Sequence, residues 1–335
     1  MKIDTVLAAD LKSAGEQAKK LERAGFDGVL TFETSNNPFL PALLAAEHTE
    51  RIELLTAVAV GFARNPMTLA HMGNDLNSFS QGRYTLGLGS QIKPHITKRF
   101  SMPWSNPAAR MKEMILALHA IWDCWYEGKP LDFRGEFYTH TLMTPVFTPE
   151  NTEYGRPKVA LAAVGPKMTE TAAAVADGLF IHGFTTERYL RDVTIPTVES
   201  QLEKSGRKRK DFEFIYPLFL VTGETEEAFL RVKRSVCKQI AFYGSTPAYR
   251  VVLEHHGWGE LQSELNLLSK QGKWDEMGTL ISDEILEAFA VVGEPEEVVP
   301  IIKARFGGLV DRLGVSFPGL NPERVPDLVR DLRAS

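Results

Sequence analysis

The side chains of this sequence best suited to chemistry stand at the ends of short apolar runs. Glu33 follows Gly28-Val29-Leu30-Thr31-Phe32. A carboxylate there serves proton transfer, or else only accepts hydrogen bonds from loop N–H groups. His182 follows Gly178 to Ile181, and an imidazole with the ordinary pKa near 6.5 suits proton donation. His95 is a second candidate, and for either ring the alternative is a structural imidazole bonded to backbone. Arg64, just before Asn65-Pro66, pairs with a substrate anion, with Glu33, or with nothing beyond the helix cap. In Val164-Gly165-Pro166-Lys167 the glycine permits unusual backbone angles, and the helix that follows offers free N–H groups to an anion beside the lysine. A solvated lysine is the plainer reading of Lys167. Gly87, Gly89 and Ser90 make a thin polar backbone, although Gly87 also reads as a packing residue inside a strand. Gln91 either contacts a ligand or caps its own loop. His255-His256 lacks carboxylates at ligand spacing, and adjacent side chains rarely converge on one ion, so no metal site is expected.

The elements that must position these groups alternate between strand-like and helix-like from the start. Lys2–Ala8, Gly28–Phe32, Ile52–Val60, Tyr84–Gly89, Lys158–Ala163, Gly178–Ile181, Phe212–Val221 and Arg312–Phe317 read as eight strands. Asn65-Pro66 and Asn106-Pro107 each supply a cap and a first-turn proline. Met111, Ile115, Leu118, Trp122 and Trp125 then share one helix face. Leu131–Tyr138 reads as a small hairpin, and Glu224–Phe242 as the seventh helix. Residues 244–286 break the alternation and carry an aromatic and histidine-rich stretch, Tyr249 to Trp258; they read as an insertion beside the active face. Without a composition break, residues 1–335 are expected to form a single (β/α)8 barrel, with functional groups where strands end. An open doubly wound sheet is disfavoured because no Gly-x-Gly-x-x-Gly follows the first strand.

At 335 residues and 44% apolar, the chain suits one large core. A formal net charge of −5 argues against nucleic acid as a partner. No apolar run spans a bilayer or resembles a signal peptide, so the cytoplasm is the expected compartment. Two cysteines, Cys124 and Cys237, read as buried small hydrophobes.

The block Ile52 to Gln91, IELLTAVAVGFARNPMTLAHMGNDLNSFSQGRYTLGLGSQ, resembles the signature of the luciferase-like oxidoreductase superfamily. Gly25-Phe26-Asp27-Gly28, Ala176-Asp177-Gly178 and Gly293-Glu294-Pro295 extend the likeness over nearly the whole chain. Ala162-Ala163-Val164-Gly165-Pro166-Lys167-Met168 lacks the Ser- and Gly-rich phosphate loop usual in FMN monooxygenases. The chain therefore looks most like the branch that uses the deazaflavin coenzyme F420, which includes methylenetetrahydromethanopterin reductase-like proteins.

The resemblance implies a luciferase-like (β/α)8 TIM barrel and hydride transfer between F420 and a small organic substrate. It implies a non-prolyl cis bond at Ala57-Val58 behind the cofactor ring. Gly89, Ser90 and Gln91 would lie beside that ring, and Val164, Gly165, Pro166 and Lys167 at its phosphate. Glu33 and His182 are the candidate catalytic groups, and Phe32, Arg64 and His95 the candidate substrate contacts. Many deazaflavin dehydrogenases carry an Asp-His pair where this chain has Glu33-Thr34, which argues against sugar-phosphate oxidation. An FMN-dependent monooxygenase and a non-catalytic flavin-binding barrel are the alternatives. An isomerase or lyase lacks its lysine or paired carboxylates. Relatives are often dimers, so a homodimer is a further expectation.

Overall fold

The computed structural model describes residues 1–7 and 10–334. Eight parallel strands form the barrel: β1 Lys2–Val6, β2 Gly28–Thr31, β3 Glu53–Thr56, β4 Tyr84–Gly89, β5 Lys158–Ala163, β6 Gly178–Ile181, β7 Glu213–Pro217 and β8 Arg312–Gly314. Each pairs with its sequence neighbour, and β8 returns to β1 through Ile3 opposite Leu313, so the sheet closes. Closure leaves no edge strand, and strands covered on both faces explain the near-continuous apolar runs. Ala8, the expected end of the first strand, lies outside the described residues.

Leu30, Leu55, Ala160, Phe180 and Ile215 fill the barrel interior. Around it stand α1 Ala14–Arg23, α2 Phe39–His48, α3 Pro66–Phe79, α4 Pro107–Glu127, α5 Pro166–Val175, α6 Ile195–Lys204, α7 Val298–Phe306 and α8 Val325–Arg333. Asn65 caps α3 as expected, accepting from the Thr68 N–H at 2.9 Å. Asn106 makes no such bond, so α4 starts on Pro107 alone. The expected α4 stripe, Met111 to Trp125, is buried against the barrel.

The N-terminal foot is closed by charge. The Arg312 guanidinium donates to both Asp4 oxygens at 2.7 and 2.8 Å, and both residues are buried. It also bonds Glu53. Gly28 makes room for this pair, since a Cβ there would lie 2.5 Å from the Arg312 Nη2.

Several expected boundaries move; the expected seventh strand, Phe212–Val221, for one, divides into β7 and Phe219–Val221. The run 52–60 divides into β3 and Ala59–Val60, separated by a cis Ala57–Val58 bond. The hairpin pairs Phe133–Arg134 with Thr139–His140, slightly later than expected. The largest change concerns helix Glu226–Gly244, expected in the barrel wall. It packs Val232, Val236 and Ile240 into a second core with Leu253, Leu265, Met277 and Leu286. The short strands Phe219–Val221 and Ala290–Val292 pair with each other at the root of this excursion. The helix that follows β7 in the barrel wall is α7. Helical periodicity shows that a face is buried, not which partner buries it. Among the described residues, no helix is long and apolar enough to cross a membrane.

Candidate active site

At the C-terminal ends of the strands, the filled interior gives way to a rim of partly exposed apolar groups. Phe32 leaves β2, Ala57 and Val58 leave β3, and Ala162 lies near the end of β5; all four pack on the interior residues. Together they form a small apolar floor. Gly89 at the end of β4 serves that floor directly, because a Cβ there would meet Val58 Cγ2 at 2.6 Å. Gly87 answers to packing: its Cβ would sit 1.7 Å from the Thr56 carbonyl oxygen. The Thr56 hydroxyl also bridges the Gly87 N–H and C=O, each at 2.9 Å.

Glu33 and Arg64 meet at the side of the mouth. The guanidinium donates to the two carboxylate oxygens at 2.7 and 3.0 Å, and the Val60 N–H adds a third bond at 2.7 Å. Arg64 also caps the Val60 carbonyl at 3.0 Å and lies over the Phe39 ring. Of the three partners open to Arg64, the structure selects Glu33. The pair ties the loop after β2 to the turn after β3, and both Glu33 oxygens are engaged.

Beyond β4, Ser90 donates to the Gln91 carbonyl, and the Gln91 side-chain oxygen accepts from Ile92 N–H at 3.2 Å. Gln91 adopts φ 57°, a left-handed conformation uncommon for a side chain of its type. Its amide oxygen therefore caps its own loop. His95 stands exposed at the start of the helical turn His95–Arg99, and the Arg99 guanidinium reaches the Thr34 carbonyl at 2.7 Å.

After β5, Gly165 has φ −88° and ψ 160°, so the expected unusual angles are absent. What the glycine supplies is space: nothing lies within 4 Å of its Cβ position, and α5 has no capping side chain. Pro166 holds the first turn, Lys167 is exposed beside it, and Val164 packs toward the excursion core. An open, uncapped helix start with an adjacent lysine fits a phosphate.

His182 departs most from expectation. Its Nδ1 accepts the Phe184 N–H at 3.0 Å, which places the proton of the neutral ring on Nε2. Tyr243 meets the ring edge-on at 4.6 Å and Tyr249 lies tilted at 4.7 Å, both from the excursion. Burial pushes the imidazole pKa down to about 4, well below the ordinary value on which proton donation was expected. At neutral pH the ring is an uncharged hydrogen-bond donor, and imidazolium is scarce.

Sequence reasoning missed Tyr243, Tyr249 and two hydroxyls. Thr185 after β6 and Thr222 after Phe219–Val221 are buried without a hydrogen-bond partner among the described residues. The aromatic stretch Tyr249 to Trp258 hinted at Tyr249; nothing local marked Tyr243 or the threonines. His255 bonds Asp192 at 2.9 Å and His256 bonds Thr186 at 2.8 Å, so the adjacent rings face different partners.

The arrangement is that of a barrel enzyme, and its ancestry is legible over most of the chain. The family model for luciferase-like monooxygenases matches residues 3–312. The chain belongs to this family. As a luciferase-like protein it is 50% identical over 333 residues to an uncharacterised protein of Mycobacterium tuberculosis, covering 99% of this chain and 98% of the other. It is 27% identical over 289 residues to 5,10-methylenetetrahydromethanopterin reductase of Archaeoglobus fulgidus, covering 84% and 82%. Its fold superposes on the coenzyme F420-dependent tetrahydromethanopterin reductase of Methanopyrus kandleri with a TM-score of 0.78 at 21% identity, covering 98% and 96%. Luciferase-like relatives use F420 or flavin, and this chain is an oxidoreductase of that kind.

Proposed function

We propose that this luciferase-like barrel binds coenzyme F420 and transfers hydride between the cofactor and a small organic substrate held above it. The observation that carries the reading is the apolar floor of Phe32, Ala57, Val58 and Ala162, at the same C-terminal end of the barrel as the uncapped α5 and the neutral His182. A flat ring suits the floor, and its phosphate suits the first turn of α5 with Lys167. The likeness to F420-dependent reductases supports the choice of cofactor.

The deazaflavin would supply the hydride chemistry; the protein's part is orientation and exclusion of water. Val58 would lie against the ring, and Gly89 and Ser90 would offer it a thin polar backbone. Glu33 and Arg64 brace the loops that carry Phe32 and Val58, so we assign them to positioning rather than proton transfer. His182 holds the substrate with its Nε2–H. At neutral pH the ring has no extra proton to give, and solvent balances the proton.

An FMN-dependent monooxygenase is the second reading, favoured by the family's own description. Purification from a host that makes both cofactors, followed by identification of the retained chromophore, separates them. F420 is expected; FMN alone overturns the first reading.

A further inference from the structure

The second core, on which Tyr243 and Tyr249 pack, also sets both rings against His182. Tyr243 ends helix Glu226–Gly244, and Tyr249 ends the turn Pro247–Tyr249; their rings flank the imidazole without hydrogen-bonding it. The Phe184 N–H occupies Nδ1, while Nε2 has no hydrogen-bond partner among the described residues and remains open to solvent. No ionised side chain acts appreciably on the ring, whose pKa is lowered by burial alone. Arg64, at the side of the mouth, is taken by Glu33. An anion docking at His182 would thus lose its hydration without gaining a counter-charge. A flat uncharged molecule laid against the partly exposed rings would gain aromatic contact and one directed N–H.

We propose that His182, Tyr243 and Tyr249 form the specificity wall of the mouth, selecting an uncharged, planar substrate whose oxygen accepts the Nε2–H hydrogen bond. The inference rests on the hydride-transfer reading for its setting and adds the class of molecule transferred to or from. Selection here is by charge and shape: the imidazole gives direction, and the tyrosines reject bulky saturated groups. The donor keeps its state through the neutral pH range, so recognition does not switch with modest acidification.

Acetophenone and benzoate, alike in size and flatness but different in charge, serve as probes of the 15N-labelled protein without cofactor. Long-range 1H–15N spectra follow the His182 ring nitrogens during each titration. Acetophenone is expected to shift the Nε2 signal saturably, and benzoate to bind at least tenfold more weakly. His182→Phe keeps a flat ring between the tyrosines and removes the N–H; acetophenone affinity should fall about tenfold. Equal binding of benzoate, or an Nε2 signal unmoved by acetophenone, overturns the proposal. Should the variant fail to fold, the nitrogen shift in the unaltered protein decides alone. Coenzyme F420 is titrated separately by its fluorescence. If F420 binds and acetophenone does not reach His182, the wall is wrong and the hydride reading survives. If acetophenone reaches His182 and F420 fails to bind, the reverse holds.

Discussion

The Arg64 guanidinium grips both oxygens of the Glu33 carboxylate, at 2.7 and 3.0 Å, across two different loops of the barrel mouth. Both side chains are mostly buried, at 17% and 8% exposure, so neither is a casual surface ion. The pair fixes where the backbone carrying Phe32 and Val58 can lie.

Arg64→Ala should therefore cost about 3–5 kcal/mol, because a buried carboxylate is left without its partner. Glu33→Gln should cost less, since the amide still accepts from Arg64 and Val60. Arg64→Lys should rescue poorly, because a point charge cannot replace the two-pronged contact. Chemical denaturation of the three variants checks the order; an Arg64→Ala protein as stable as the parent contradicts it.

The barrel glycines should separate into three kinds. Gly87→Ala places a methyl 1.7 Å from a backbone oxygen and should prevent stable folding or sharply lower Tm. Gly89→Ala meets only the Val58 side chain at 2.6 Å, so it should fold while displacing the floor and weakening cofactor binding. Gly165→Ala has open space and should leave Tm within a degree or two. Thermal melts and cofactor titration read all three.

His182 sets a direction for stability against pH. Its folded pKa, about 4, lies below the ordinary 6.5, so the unfolded chain binds more protons between those values. The contribution is complete above about pH 6.5 and is lost progressively as pH falls toward 4. His119 on α4, also lowered to about 4 chiefly by burial, acts the same way. His182→Phe should reduce the slope of stability across this window, leaving the His119 share; an NMR titration midpoint of His182 near 6.5 would contradict the assignment.

At the barrel foot, Arg312→Met should lose about 3–5 kcal/mol by stranding the buried Asp4 charge. Adding Asp4→Asn should restore part of it. Both are measured by denaturation, with the site's ligand binding as a control, since the pair lies at the opposite end of the barrel. A second substitution that deepened the loss would refute the account of the foot.

The barrel was legible because each strand and helix announces itself locally. β4 and β6 read as apolar runs, α3 opens on Asn65-Pro66, and Met111 to Trp125 repeats at helical spacing. The cis bond after β3 was expected at Ala57-Val58 from the family resemblance, not from a local pattern, and it stands there. What depended on distant partners was not legible. Glu33 and Arg64 are 31 residues apart, and their pairing was one of several choices. The period of Glu226–Gly244 reveals a buried face, not that the face belongs to a satellite core. The lowered pKa of His182 was not legible because burial sets it, and residues packed on the ring, Tyr243 and Tyr249 among them, are distant in sequence.

The floor of Phe32, Ala57, Val58 and Ala162 is most directly tested by titrating the purified protein in parallel with coenzyme F420 and with FMN. Saturable, stoichiometric quenching of F420 fluorescence, with FMN binding far more weakly, is the outcome expected. Tight FMN binding with no response to F420 would contradict the assignment of the cofactor, and binding of neither would contradict the floor itself.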